Sequence, residues 1–185
     1  MNTIIVPGYG DGQNYIDRIT QHWPEKYGLN PQVIPFGTND LTSDYEEKWT
    51  AFETKLRDFG KTAIIGISFG VTIALRAMQD YPDLVSSAVC ISGPHDIRDV
   101  DQPTIKRKYP LLNESLRAFS IDNLPVEKVM TIRPRYDSVI DPDKVAIRDA
   151  TNLRVPIAGH ATGIAWALKF KAGDIAKFIK DTTQG

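Results

Sequence analysis

The chain contains a single cysteine, Cys90, so no disulfide can form within it and no cluster of cysteines can hold zinc. It has only three histidines, which keeps the choice of a general base short. No stretch approaches 18 consecutive apolar residues, so no membrane span is expected. The opening run, MNTIIVPGYG, is too short for a secretory signal core and has no basic flank, so a cytoplasmic location is expected. Neither sign of charge dominates, with 22 Lys+Arg against 23 Asp+Glu and a formal net charge of -1. That balance removes the broad electrostatic attraction on which nucleic-acid or anionic-membrane binding would rest. Repeats, low-complexity tracts and linker-like segments are also missing.

What is present suits one globular unit. The 185 residues allow a single domain, 1–185, and 42% of them are hydrophobic, enough to build a core without covalent staples. Strand and helix patterns alternate along the whole chain. Short apolar runs at 3–6, 32–36, 62–67, 85–92, 128–132 and 152–157 read as strands. The run at 62–67 is apolar throughout, as expected for a strand buried on both faces.

Between the strands, helical spacing recurs. Tyr15, Ile16, Ile19 and Trp23 mark a first helix limited by Pro24. Tyr45, Trp49, Phe52, Leu56 and Phe59 mark the clearest one, with Ser43 or Asp44 as N-cap and Gly60 as the stop. Residues 71–78 read as a nearly all-apolar helix. Asp141-Pro142 opens a short one, and Ile164 to Ile179 mark the last, with Gly173 as a break within it. Six strands alternating with helices predict a three-layer α/β/α sandwich on a parallel sheet with right-handed crossovers. The exception is 93–125, too long for a plain connection. A helix starting at Pro110 fits inside it, with the remainder an excursion over the sheet edge.

The chemistry concentrates at strand ends. Gly66-Ile67-Ser68-Phe69-Gly70 is a G-x-S-x-G motif placed where an apolar strand runs into an apolar helix. A sharp strand–turn–helix of this kind lifts a serine hydroxyl above the sheet, and the flanking glycines remove side chains that would collide across the turn. The alternative is an ordinary serine N-cap. A serine hydroxyl needs a base. His22 falls within the first helix pattern, away from any strand end. His95 follows the fourth strand and could line the same cleft as Ser68. His160 follows the sixth strand, in Ala158-Gly159-His160-Ala161, where Gly159 permits a sharp turn inward. The base in turn needs a carboxylate on its second nitrogen. Asp137, after the fifth strand, suits this best. Asp96 is the other candidate, and Asp141 is better explained as a cap before Pro142.

The loop Pro7-Gly8-Tyr9-Gly10-Asp11-Gly12 follows the first strand, and its glycines let backbone approach a substrate. The amides of Tyr9 and Phe69 are the expected oxyanion donors, with the Tyr9 ring flanking the acyl group. Gly8, Tyr9, Phe69 and His95 are thus the expected substrate contacts. The loop lacks the G-x-G-x-x-G spacing, which argues against a dinucleotide. Lys106, Arg107 and Lys108 read as a solvated face, and Cys90 as a buried thiol within a strand.

The order Ser68, Asp137, His160, each after a parallel strand, resembles the α/β-hydrolase superfamily over essentially the whole chain. Pro7-Gly8-Tyr9-Gly10 resembles its oxyanion loop, with proline in place of the usual histidine. Asp137-Ser138-Val139-Ile140 resembles its acid loop and Gly159-His160 its histidine loop. The resemblance implies a sheet of strand order 2-1-3-4-5-6, a minimal version of the fold without its two N-terminal strands. It also implies no metal or organic cofactor and a small-molecule ester as substrate. With only 93–125 in the position of a lid, the cleft is expected to be open and shallow and to favour short acyl chains. A thioesterase, amidase or acyltransferase would carry the same residues. A serine at the elbow argues against the dehalogenases and epoxide hydrolases, which have aspartate there. A non-catalytic binding module is the remaining alternative.

Overall fold

The protein is described by a computed structural model covering all residues except Asp11, Leu41, Asp101 and Gly185. Six strands, β1 (Asn2–Val6), β2 (Asn30–Val33), β3 (Thr62–Ile67), β4 (Val85–Ile91), β5 (Val129–Tyr136) and β6 (Thr151–Ala158), form one sheet. Its order is β2-β1-β3-β4-β5-β6 and every pairing is parallel. β3 and β4 are buried along their full length, which is why β3 reads as a nearly continuous apolar run; β4 buries Ser86 and Ser87 as well. β6, at the edge, is mostly exposed or half-buried and tolerates Pro156.

The order dictates where the helices go. A right-handed crossover to the left covers one face of the sheet, and a crossover to the right covers the other. The step from β1 to β2 carries α1 (Gln13–Thr20) and α2 (Trp23–Tyr27). The later steps run the opposite way. They carry α3 (Tyr45–Phe59), α4 (Gly70–Asp80), α5 (Gln102–Lys108) and α6 (Pro110–Arg117). After β6 the chain returns to the first face with α7 (His160–Phe170) and α8 (Ala172–Gln184). The two halves of the core follow this division. Ile5, Ile65 and Ile91 pack with Ile16, Leu168 and Ile179 on one side. Ile4, Val6 and Ile64 pack with Trp49, Leu75 and Leu116 on the other. Each fully buried aliphatic side chain of this kind contributes about 1.5–3 kcal/mol. The direction in which the chain winds across the sheet switches between β1 and β3, so the crevice beyond their C-terminal ends is where such sheets take ligands.

Several boundaries differ from the sequence reading. The first helix is two: a proline ring at Pro24 clashes with the carbonyl four residues earlier, so α1 stops and α2 starts with Pro24 in its first turn. His22 is the residue preceding α2 rather than part of one continuous helix. β2 begins at Asn30, earlier than expected, because Pro31 on a sheet edge leaves no ladder bond unmade. Ile34, beyond its end, still donates its N–H to Ile5 O at 2.9 Å. β5 runs on to Tyr136, and its register shifts between Pro134 and Tyr136, a bulge that tolerates the missing proline N–H. The final helix breaks at Lys171, between α7 and α8, and not at Gly173. In α3 the cap is Asp44, in a reciprocal capping box with Glu47.

The 93–125 segment holds α6 from Pro110 as expected, and α5, which the spacing did not reveal. α6 is fastened to α4 by Thr72 Oγ1–H donating to Ser115 Oγ at 2.9 Å, with both residues buried.

Cys90 lies in β4 with 1% exposure, and burial pushes its thiol well above the ordinary range. It is neither accessible nor ionised at neutral pH. The folded protein is therefore expected to give no reaction with a disulfide-exchange thiol reagent over minutes, and one thiol per chain in denaturant. Rapid reaction in the folded state would contradict this placement.

Candidate active site

Ser68 sits between β3 and α4 with φ +53°, a left-handed conformation that few serines adopt. Its N–H donates to Ile91 O at 2.8 Å, which holds the strained turn against β4. The surroundings explain both flanking glycines. A Cβ at Gly66 would lie 2.4 Å from Gly70 O, and one at Gly70 would lie 2.1 Å from Val6 O. Neither position can carry a side chain unless backbone moves. The serine-cap alternative does not describe this turn, because the N-cap position of α4 is Phe69 and Ser68 Oγ meets His160 instead.

His160 is the first residue of α7. Gly159 before it has φ +98° and donates its N–H to Tyr136 O at 2.7 Å. That bond ties the turn to the end of β5, one residue from Asp137. The imidazole Nε2 lies 3.0 Å from Ser68 Oγ, and Nδ1 lies 2.7 Å from Asp137 Oδ2. The Asp137 side chain is fully buried. Its other oxygen, Oδ1, accepts N–H bonds from Val139 (2.8 Å) and Ile140 (3.2 Å). The acid loop thus grips one carboxylate oxygen and aims the other at the histidine. This arrangement favours the tautomer with the proton on Nδ1, leaving Nε2 free to accept from the serine.

The competing candidates lie elsewhere. Asp96 caps a short turn at Ile97–Asp99 and is clamped by the Arg98 guanidinium, which holds its carboxyl below the usual carboxylate range. Asp141 accepts from the Asp143 N–H at 3.0 Å, the capping role that its position before Pro142 suggested. His95 corrects the sequence reading. It is buried and does not line the cavity at Ser68, although its neighbour Pro94 does. Four residues past the end of β4, the chain has taken the imidazole into the interior.

Gly8 and Tyr9 follow β1, and Gly8 packs directly on the serine: a Cβ there would lie 2.9 Å from Ser68 Cβ. Among the described residues, neither the Tyr9 nor the Phe69 amide donates to a backbone carbonyl. Asp11, in the same loop, lies outside the described residues. The Tyr9 ring packs against Phe69 and Tyr109, with centroid separations of 5.1 and 5.3 Å. Its hydroxyl accepts the Leu112 N–H at 3.2 Å, one of the amides that the first turn of α6 leaves without an intrahelical partner. Burial of that end pushes the phenol up to about 12, so it stays neutral.

A cavity of about 890 Å³ opens over Ser68 and His160. It is not shallow. Val100, Thr104, Tyr109 and Leu112 wall it, so the 93–125 segment covers one side of the site. Sequence reasoning missed this because α5 is too short and too polar to show an apolar stripe. Among the described residues, no group of three or more His, Cys, Asp or Glu is placed to hold a metal ion, and no helix is long and apolar enough to cross a membrane.

No protein-family model and no curated protein sequence matches the chain. Solved structures do. It is similar to Est1E from Butyrivibrio proteoclasticus at 12% identity and a TM-score of 0.70, over 100% of this chain and 88% of that one. It is similar to the meta-cleavage product hydrolase CumD from Pseudomonas fluorescens IP01 at 16% identity and a TM-score of 0.68, over 98% and 91%. The ydeN gene product of B. subtilis gives 14% identity and a TM-score of 0.69, over 97% and 98%. The chain has the α/β-hydrolase fold.

Proposed function

We propose that the protein is a serine hydrolase that cleaves carboxylic esters through an acyl-enzyme. The observation that carries this reading is the continuous hydrogen-bonded relay from Asp137 through His160 to Ser68, beside two amides that find no backbone acceptor among the described residues. That its structural neighbours include a protein described as a hydrolase supports it further.

In this reading Ser68 Oγ attacks the ester carbonyl carbon as its proton passes to His160 Nε2. The carbonyl π pair moves onto oxygen, and the Tyr9 and Phe69 amides stabilise that oxyanion, each donor contributing about 3–4 kcal/mol at comparable sites. The oxyanion then collapses, the bond to the alcohol oxygen breaks, and His160 returns the proton to the leaving alcohol. Water repeats the sequence on the acyl-enzyme. His160 takes a proton from the water, the new tetrahedral centre collapses, and Ser68 recovers its hydrogen as the carboxylic acid leaves. Asp137 holds the imidazole and stabilises the imidazolium without taking the proton.

The test is a parallel assay of one acyl group presented as an ester, a thioester and an amide. The expected result is the highest kcat/KM on the ester. A preference for the thioester or amide by tenfold or more would reassign the reaction while leaving the nucleophile in place.

A further inference from the structure

We propose that the acyl group of the substrate is an aromatic one, of the arylalkanoyl class, held on the wall formed by Tyr9, Tyr109 and Leu112. This inference rests on the serine-hydrolase reading and asks which substituent of the ester faces which wall.

The tetrahedral carbon bonded to Ser68 Oγ carries three other groups. The oxyanion must face the Tyr9 and Phe69 amides. The alcohol oxygen must face His160 Nε2, because that atom delivers the proton with which it leaves. The acyl chain takes the direction that remains. His160 opens α7 on the face shared with α1 and α8, whereas Leu112 and Leu116 of α6 pack into the core on the opposite face. The lining on the histidine side is mixed: the acid loop adds Val139 and Ile140 as well as Asp141 and Lys144, the only formally charged groups of the lining among the described residues. The acyl chain is therefore directed at the other wall, where Tyr9, Phe69, Pro94, Val100, Tyr109 and Leu112 contribute no formal charge.

That wall is built of consecutive rings. Phe69, Tyr9 and Tyr109 stand in tilted contact, at interplanar angles of 60° and 52°. Tyr9 and Tyr109 remain 41% and 42% exposed. Tyr9 is nonetheless tethered at its hydroxyl, which accepts the Leu112 N–H. Fixed aromatic surface left open inside a concave site is ready to be covered at little cost in side-chain ordering. A ring on the substrate meets it in the offset or edge geometry that aromatic pairs prefer. An acetyl group would reach little of this surface. The cavity thus argues against the short acyl chains expected from the sequence.

The experiment compares kcat/KM on ethyl acetate, ethyl butanoate and ethyl 3-phenylpropanoate, with the alcohol constant, for the wild-type protein, Tyr109→Ala and Tyr109→Phe. A wild-type preference for phenylpropanoate over butanoate of about tenfold or more is expected. Tyr109→Ala should lose most of that ratio and Tyr109→Phe should keep it. A wild-type ratio at or below one overturns the proposal, as does an equal loss on all three esters in Tyr109→Ala. If Tyr109→Ala does not fold, the wild-type ratio decides alone. Failure of this inference is separable from failure of the reading beneath it. A protein whose Ser68 reacts with a phosphonate but which shows no aryl preference loses only the acyl assignment. A protein whose Ser68 does not react loses both.

Discussion

Asp137→Asn is expected to lower kcat by about four orders of magnitude while leaving the fold intact. The local hydrogen bonds say why. Oδ1 of Asp137 accepts from two backbone N–H groups, of Val139 and Ile140, on an acid loop that does not depend on His160. An asparagine must place its carbonyl oxygen there, because its amide nitrogen would face two donors. Its NH2 group is then forced toward His160 Nδ1. An N–H facing Nδ1 makes that nitrogen the acceptor and moves the ring proton to Nε2. The histidine would then offer Ser68 a donor where the reaction needs an acceptor. Asp96→Asn is the matched control. Its carboxylate serves a cap and Arg98, so turnover is expected to stay within a few-fold of wild type. Steady-state assays of the two variants, with circular dichroism to verify folding, check both. A large loss in Asp96→Asn and a small one in Asp137→Asn would reverse the assignment of the acid.

Gly70→Ala is expected to cost about 3 kcal/mol or more of stability, near the upper end of single substitutions. The added Cβ would fall 2.1 Å from Val6 O and 2.8 Å from Val6 C, both backbone atoms of the strand that leads into the Gly8–Tyr9 loop. No side-chain rotation relieves that collision. Either α4 or the end of β1 must move, and both lie in the core. For a chain of this size the loss corresponds to a fall in Tm of roughly 6–12 °C. Gly173→Ala should behave oppositely. Its Cβ would meet only Tyr27 at an ordinary 3.7 Å, within the helix that starts at Ala172. Alanine reduces the entropy of the unfolded chain and favours the helix, so a Tm equal to or above wild type is expected. Thermal unfolding of both variants gives the comparison. Equal Tm values would mean that the elbow is looser than its geometry states.

The contrast between these two glycines bears on what the chain's pattern could reveal. The elbow was legible because its chemistry demands small residues at fixed offsets around Ser68, and those offsets survive as letters in the sequence. The sheet order was legible through resemblance, and β3 through its apolar run. The relay was legible in part. Ser68, Asp137 and His160 each follow a strand, and their placement and order already favoured them over Asp96 and His95; the folded geometry adds the bonds that join them. Spacing along the chain does not say which strand-end residues turn inward. His95 shows this, lying at a strand end in the sequence and buried away from the cavity in the fold. The wall built by α5 and α6 was the least legible element. It is assembled from Tyr9 and Leu112, 103 positions apart, and no local period records such a contact.

The central claim is that Ser68 is an activated nucleophile. Covalent labelling with an alkyl fluorophosphonate, read by intact-protein mass and by peptide mapping, tests it most directly. The account predicts one label per folded chain, on the peptide containing Ser68, and none in Ser68→Ala. A wild-type protein that stays unlabelled, or a Ser68→Ala variant that labels to the same extent, would contradict it.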